Sequence, residues 1–286
     1  MANPRQVTAV ITPQLVIEGA GVLLRRSFAP TRANPFDPFL LFDNFAFNDP
    51  ADAPNVGFPT HPHRGIETVT YMLKGSVRHR DSLGNVGLIG PGDLQWMTAG
   101  RGILHEEMPR PGPGGIIYGF QLWVNLPSGE KMSAPRYRSI SADMIPAVQE
   151  GGCLVRVIAG AYAGRQGPVG EITAQPRYMD IEMNPGSDFK TDIPAGHTAL
   201  AYLFEGEAEF GVGLQEGGTV VQAARMVVLG DGTGLHVRTG QEKARFVLIS
   251  GAPMREAIVP FGPFVMNTVA EIEQALAELK AGTFIR

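Results

Sequence analysis

The chain has 286 residues, 44% hydrophobic and 18% charged, with a formal net charge of -4. That balance belongs to a globular protein with a sizeable core rather than to a disordered tail, and the length allows two domains. Lys and Arg number 13 against 11 acidic residues up to residue 140 and 11 against 17 after it, with no basic run in either half, which argues against direct binding to nucleic-acid phosphates.

Gly (36) and Pro (23) are spread along the chain. They divide short runs of Val, Ile, Leu and Phe, which predicts an all-β fold with many turns. Residues 7–27 read as two or three short strands around a Gly turn. Residues 37–47, DPFLLFDNFAF, form a buried strand with one acid, Asp43. FPTHPHRGIETV brings His61 and His63 and leads into a strand broken at Gly75. Gly92 and Asp93 make a tight turn, and AGRGILHEEMP then carries His105, Glu106 and Glu107. Residues 119–127 alternate strongly, with Gln121, Trp123 and Asn125 on one parity.

Residues 128–152 are polar and weakly periodic. They suggest a first domain over 1–134, a linker over 135–150 and a second β-rich domain over 151–286. Residues 68–79 and 199–210 share a pattern in which Gly75 matches Gly206. The same offset puts Asp192 and Pro194 where His61 and His63 stand, so the second half lacks the first His pair, and an apparent match of His105 to His236 is discounted because the flanking segment is shorter. Near the end, Thr268 and Glu271 form a capping-box pattern, Val269, Ile272, Leu276 and Leu279 an apolar stripe, and Gly282 a stop: an amphipathic helix that covers a sheet face or barrel end.

His61 with His63, and His105 with Glu107, are each spaced i, i+2. Strand side chains alternate, so each pair points to one side. Two such strands facing each other in a barrel would offer three imidazoles and a carboxylate to one divalent transition metal, with positions left open. Glu106 has the opposite parity and should face away. Glu67 shares parity with the first pair if the strand runs straight, which would place it near the metal. Gln121 and Trp123 are candidates for lining a cavity, Trp123 equally for the core. Arg64 and Arg101 could close the pocket mouth, while His79 and Asp81 satisfy a turn or each other rather than a metal. His197 and His236 have no partner pair. The single cysteine, Cys153, reads as a small buried hydrophobe and fits a reducing cytoplasm. No secretory leader and no membrane-length apolar run is visible, so a cytoplasmic location, and a monomer, are expected.

HPHRGIETVTYMLKG and PGDLQWMTAGRGILHEEMP resemble the two cupin motifs. Together with LWVNLP and GPFVMNT, in this order, they resemble the pirin family over nearly the whole length. The resemblance implies two tandem cupin (jelly-roll-like) β-barrels, with a metal, usually iron as Fe(2+), held in the first by His61, His63, His105 and Glu107. Other divalent metals remain open. It also implies a quercetin 2,3-dioxygenase-type activity on a flavonol and dioxygen, with Glu107 as base. The alternative is an iron-dependent regulator that binds a transcription factor or metabolic enzyme.

Overall fold

The computed structural model describes residues 3–47, 56–213 and 217–285. The chain is all-β with one C-terminal α-helix and forms two compact units. One holds Gln14–Ala142 and Met254–Arg286, the other Met1–Pro13 and Asp143–Pro253. The units are therefore not the contiguous stretches that the sequence suggested. Residues 135–150 also differ from a linker. Arg136–Ile140 pairs with Leu94–Thr98, and Ala147–Glu150 pairs with Cys153–Ala159. Both are sheet-edge strands, whose half-solvated positions explain the polar, weakly periodic sequence.

In the first unit a seven-stranded sheet runs Arg136–Ile140, Leu94–Thr98, Ile66–Lys74, Ile117–Asn125, Phe39–Phe47, Val22–Phe28, Gln14–Glu18. A four-stranded sheet runs Phe58–His63, Ile103–Arg110, Ser76–Asp81, Val86–Ile89. The long sheet of the second unit has the matching order: Val7–Ile11, Arg225–Leu229, Thr198–Phe210, Ala244–Gly251, Arg177–Met183, Cys153–Ala159, Ala147–Glu150. The N-terminal strand fills the edge slot that Arg136–Ile140 fills in the first unit, because the chain after Gly251 goes to the first unit instead. Gly75 and Gly206, matched in the sequence, both lie at positive φ, +68° and +70°. At Gly206 a Cβ would collide with the Lys243 carbonyl, so only glycine fits this bend.

The C-terminal helix spans Val269–Ala281 with the expected capping box at Thr268 and Glu271 and a left-handed Gly282. Its docking face is narrower than the stripe implied. Ile272 and Ala275 are buried with Phe264, Met266 and Phe284, whereas Val269, Leu276 and Leu279 stay exposed. Among the described residues no helix is long and apolar enough to cross a membrane.

Candidate metal centre

Phe58–His63 is the outer strand of its sheet. That edge position tolerates Pro59 and Pro62, which lack a ladder donor. Its antiparallel partner Ile103–Arg110 sets His105 opposite His61 and Ile103 opposite His63. The three imidazole centroids lie 4.3 to 5.0 Å apart, and their ligand nitrogens all lie within 4.8 Å of one another.

The hydrogen bonds around the rings fix their tautomers. His61 Nδ1 is 2.9 Å from the Pro59 carbonyl and His63 Nδ1 is 3.2 Å from the Pro263 carbonyl. A carbonyl only accepts, so each Nδ1 carries the hydrogen. His105 Nδ1 meets His79 Nδ1 at 3.5 Å, and His79 Nε2 meets Asp81 Oδ2 at 3.1 Å. The Asp81 carboxylate, held by the Leu83 and Asn85 backbone amides, takes the His79 Nε2 hydrogen. His79 Nδ1 is then an acceptor for His105 Nδ1–H. All three Nε2 atoms are left with a lone pair, and that of His105 is buried without a partner. An unpaired buried polar atom is costly, and a metal ion is the group that would satisfy three such lone pairs at once. Burial, with the charge of neighbouring imidazoles second, pushes the pKa of His63 down to about 3 and that of His105 well below its ordinary value. Both are neutral at pH 7, as metal ligands must be. The donor set therefore fits a divalent metal.

Glu107 lies beside the imidazole group rather than within it. The register slips between His105 and Glu107, so that Glu107 pairs with Phe58. Its buried carboxylate accepts from Thr70 Oγ1 at 2.9 Å and from Gln121 Nε2 at 3.2 Å. Glu106 faces away and pairs with Arg78 at 3.0 Å. Glu67 departs from the sequence expectation. Gly65, at φ +79°, turns the chain between the His-x-His strand and Ile66–Lys74, so parity does not carry through. Thr70 faces the cavity, which puts Glu67 on the other face. There it accepts from Thr98 at 2.7 Å, and burial raises its pKa.

Arg64 is not at a pocket mouth. It is buried, donates to the Arg101 carbonyl, pairs with Glu278 at 2.6 Å and lies 4.4 Å over the Phe284 ring. Lys131, equally buried, donates to the Gly65 and Val265 carbonyls and to Asn125. These cations tie the chain just after His63 to the C-terminal segment, which also supplies the Pro263 carbonyl. No local pattern in the sequence pointed to that long-range role. Cys153 is buried in the core of the second unit, as expected, and His236 pairs with Asp188.

Next to the imidazoles opens a cavity of about 440 Å³. His61, His63, Glu107, Gln121 and Trp123 line it, among apolar walls that include Leu24, Leu41 and Phe45. The Trp123 ring lies edge-on to His63 at 5.1 Å, so it serves as cavity wall and core at once. Arg26 also lines the cavity. Burial works against its charge, but bonds to Asp43 and Glu18 outweigh this and hold its pKa above the ordinary value.

The sequence model described as Pirin matches residues 21–124, and that of the Pirin C-terminal cupin domain matches residues 178–285. A pirin-like protein of Solanum lycopersicum is 44% identical over 283 residues, 98% of this chain and 93% of that protein. Pirin of Homo sapiens is 41% identical over 283 residues, 98% of this chain and 94% of its own. The crystal structure of a quercetin 2,3-dioxygenase from Acinetobacter baumannii is similar at a TM-score of 0.89 and 34% identity, over 98% of each chain. The three-histidine cluster His61, His63 and His105 is a group that could hold a metal ion.

Proposed function

The chain belongs to the pirin family, and from that premise we propose that it is an iron(II)-dependent oxygenase that opens the central ring of a flavonol with dioxygen and releases carbon monoxide. One observation carries this reading: three imidazoles converge beside a largely apolar cavity of about 440 Å³ that a carboxylate also faces. The named activity of the Acinetobacter baumannii structure supports it.

His61, His63 and His105 would hold the metal, with Glu107 as the carboxylate donor. Imidazole and carboxylate suit iron among the divalent metals. Bound iron would supply Lewis acidity toward a substrate hydroxyl and redox reactivity toward dioxygen.

The chain's own groups supply the rest. Glu107 is the base for the hydroxyl proton. It lines the cavity, and Thr70 and Gln121 hold its oxygens in place. Leu24, Leu41, Phe45 and Trp123 give a flat aromatic ring apolar surface and exclude water. Pro59, Pro263 and His79 hold the imidazoles in the tautomer that presents Nε2.

The test is aerobic incubation of the iron-loaded protein with quercetin. The flavonol absorbance should bleach with release of carbon monoxide, and a His63→Ala control should not bleach it. Equal rates in both, or no bleaching in either, would reject the activity.

A further inference from the structure

On the cavity face of the long sheet, one row of residues differs from its neighbours. Arg26 pairs with Asp43, Asp43 with Gln121, and Gln121 with Thr70 across four adjacent strands. The next row on one side is Leu24, Phe45, Gly119 and Met72. The next on the other side includes Leu41 and Trp123. Beside this polar track the floor is apolar apart from Thr68, the strand partner of Trp123. Gly119 keeps it low, because a Cβ there would strike the Phe45 ring at 2.8 Å.

At one end of the track Thr70 and Gln121 hold Glu107. At the other, Arg26 donates to both oxygens of Asp43 at 2.9 and 2.8 Å and to Glu18 at 2.7 Å. All three of these charged residues line the cavity. Strand spacing puts the Arg26 strand about 10 Å from the one that carries Gln121 and Trp123. The trio is part-buried, with the side chains of Asp43 5%, Arg26 21% and Glu18 43% exposed, so its polar atoms are within reach of a ligand in the cavity. Such an ion pair is weak support for stability, since apolar residues could fill the same place.

The chemistry of the trio selects its ligand. Arg26 has five N–H groups, and three of its hydrogens are used by these contacts. Each Asp43 oxygen accepts one bond from Arg26 and has a second lone pair. The trio therefore offers both donors and acceptors, with a net charge of one negative. A neutral hydroxyl, which donates and accepts at once, matches it. A carboxylate or sulfate is repelled, and an ammonium cannot accept from Arg26.

We infer that Glu18, Arg26 and Asp43 form a specificity subsite for the hydroxylated ring of the substrate that lies farthest from the metal, favouring two adjacent phenolic hydroxyls. This rests on the proposed flavonol reading and names which flavonols the site selects.

The test uses three flavonols with no, one or two adjacent hydroxyls on the pendant ring. Binding to the metal-free protein is followed by quenching of tryptophan fluorescence, since Trp123 lines the cavity. Affinity should rise about tenfold from the unsubstituted to the dihydroxylated ring, the scale of a hydrogen bond to a charged group. Glu18→Gln, at a half-exposed side chain, and Asp43→Asn should each reduce that ratio, and a carboxylate on the pendant ring should bind worse than no substituent. Equal affinity for all three flavonols, an unchanged ratio in both variants, or tighter binding of the carboxylate would overturn the subsite. If the preference is seen in binding but no flavonol is cleaved, the subsite stands and the activity falls.

Discussion

In the first unit the inward positions of the paired strands Phe58–His63 and Ile103–Arg110 carry His61, His63, His105 and Glu107. The corresponding strands of the second unit, Asp188–Asp192 and Gly234–Arg238, turn Phe189, Thr191, Leu235 and Val237 inward, and three of these four belong to its apolar core. The interior of that barrel is filled by Phe189, Phe210, Phe246 and their neighbours. One strand order therefore supports two kinds of interior. Where large apolar side chains point inward the barrel is a core, and where imidazoles do, a cavity remains beside them.

The largest effect follows from that contrast. His105→Leu should leave purified protein nearly metal-free, since the cluster loses one of its three imidazoles. His236→Leu, at an outward position of the second barrel, should leave the metal content as in the wild type. Elemental analysis of protein purified without chelator reads both, and a loss of metal in the His236 variant would break the comparison.

Packing should differ in the same sense. Leu203 lies in the filled core and Leu41 on the cavity wall. Leu203→Ala opens a dry void and should cost about 4 kcal/mol, whereas Leu41→Ala enlarges an existing space and should cost about 2 kcal/mol. Urea midpoints measure both. Equal losses would mean that the cavity is closed up in solution.

Acid should act on the metal-free first unit. His63 is held at about 3, and His105 is also depressed, both chiefly by burial. Below the unfolded value of 6.5 the unfolded chain takes up protons that these folded histidines refuse. Their contribution is intact above 6.5 and declines as pH falls through the window from 6.5 to about 3. Between pH 6.5 and 5 this amounts to about 2 kcal/mol for His63 alone. Denaturation of metal-free protein at pH 7 and pH 5 should show the decline, and His63→Leu should narrow it. A His63 variant with the full decline would place the acid sensitivity elsewhere.

Local patterns made much of this legible. The Gly75 and Gly206 match and the Thr268 capping box depend on neighbours within a few residues, and both were found where the sequence placed them. The His-x-His spacing does bring His61 and His63 together with His105. Contacts made at long range were not legible. Nothing near Gln14 shows that the N-terminal strand belongs with Arg225–Leu229, or that Arg64 would be buried against Glu278. Glu67 was misplaced because strand parity was carried through Gly65, where the chain turns. Glu107 has the expected parity, but a register slip and two hydrogen bonds set it beside the imidazoles, and alternation alone cannot report either.

The smallest effect concerns two His–Asp pairs. His79 with Asp81 and His236 with Asp188 are both buried or nearly so on the histidine side. Only His79 passes the interaction on, through its Nδ1 to His105. His79→Phe keeps a ring of similar size against Tyr137, which stacks on it at 4.7 Å. It removes the acceptor for His105 Nδ1–H, so the tautomer that presents Nε2 is no longer enforced. Metal affinity should fall about tenfold, the low end of what outer partners of metal ligands contribute. His236→Phe removes an equivalent pair that faces away from the barrel interior, and it should not change metal affinity. A chelator competition titration compares the two variants. If both weaken the metal equally, the chain from Asp81 to His105 is packing and not tautomer control.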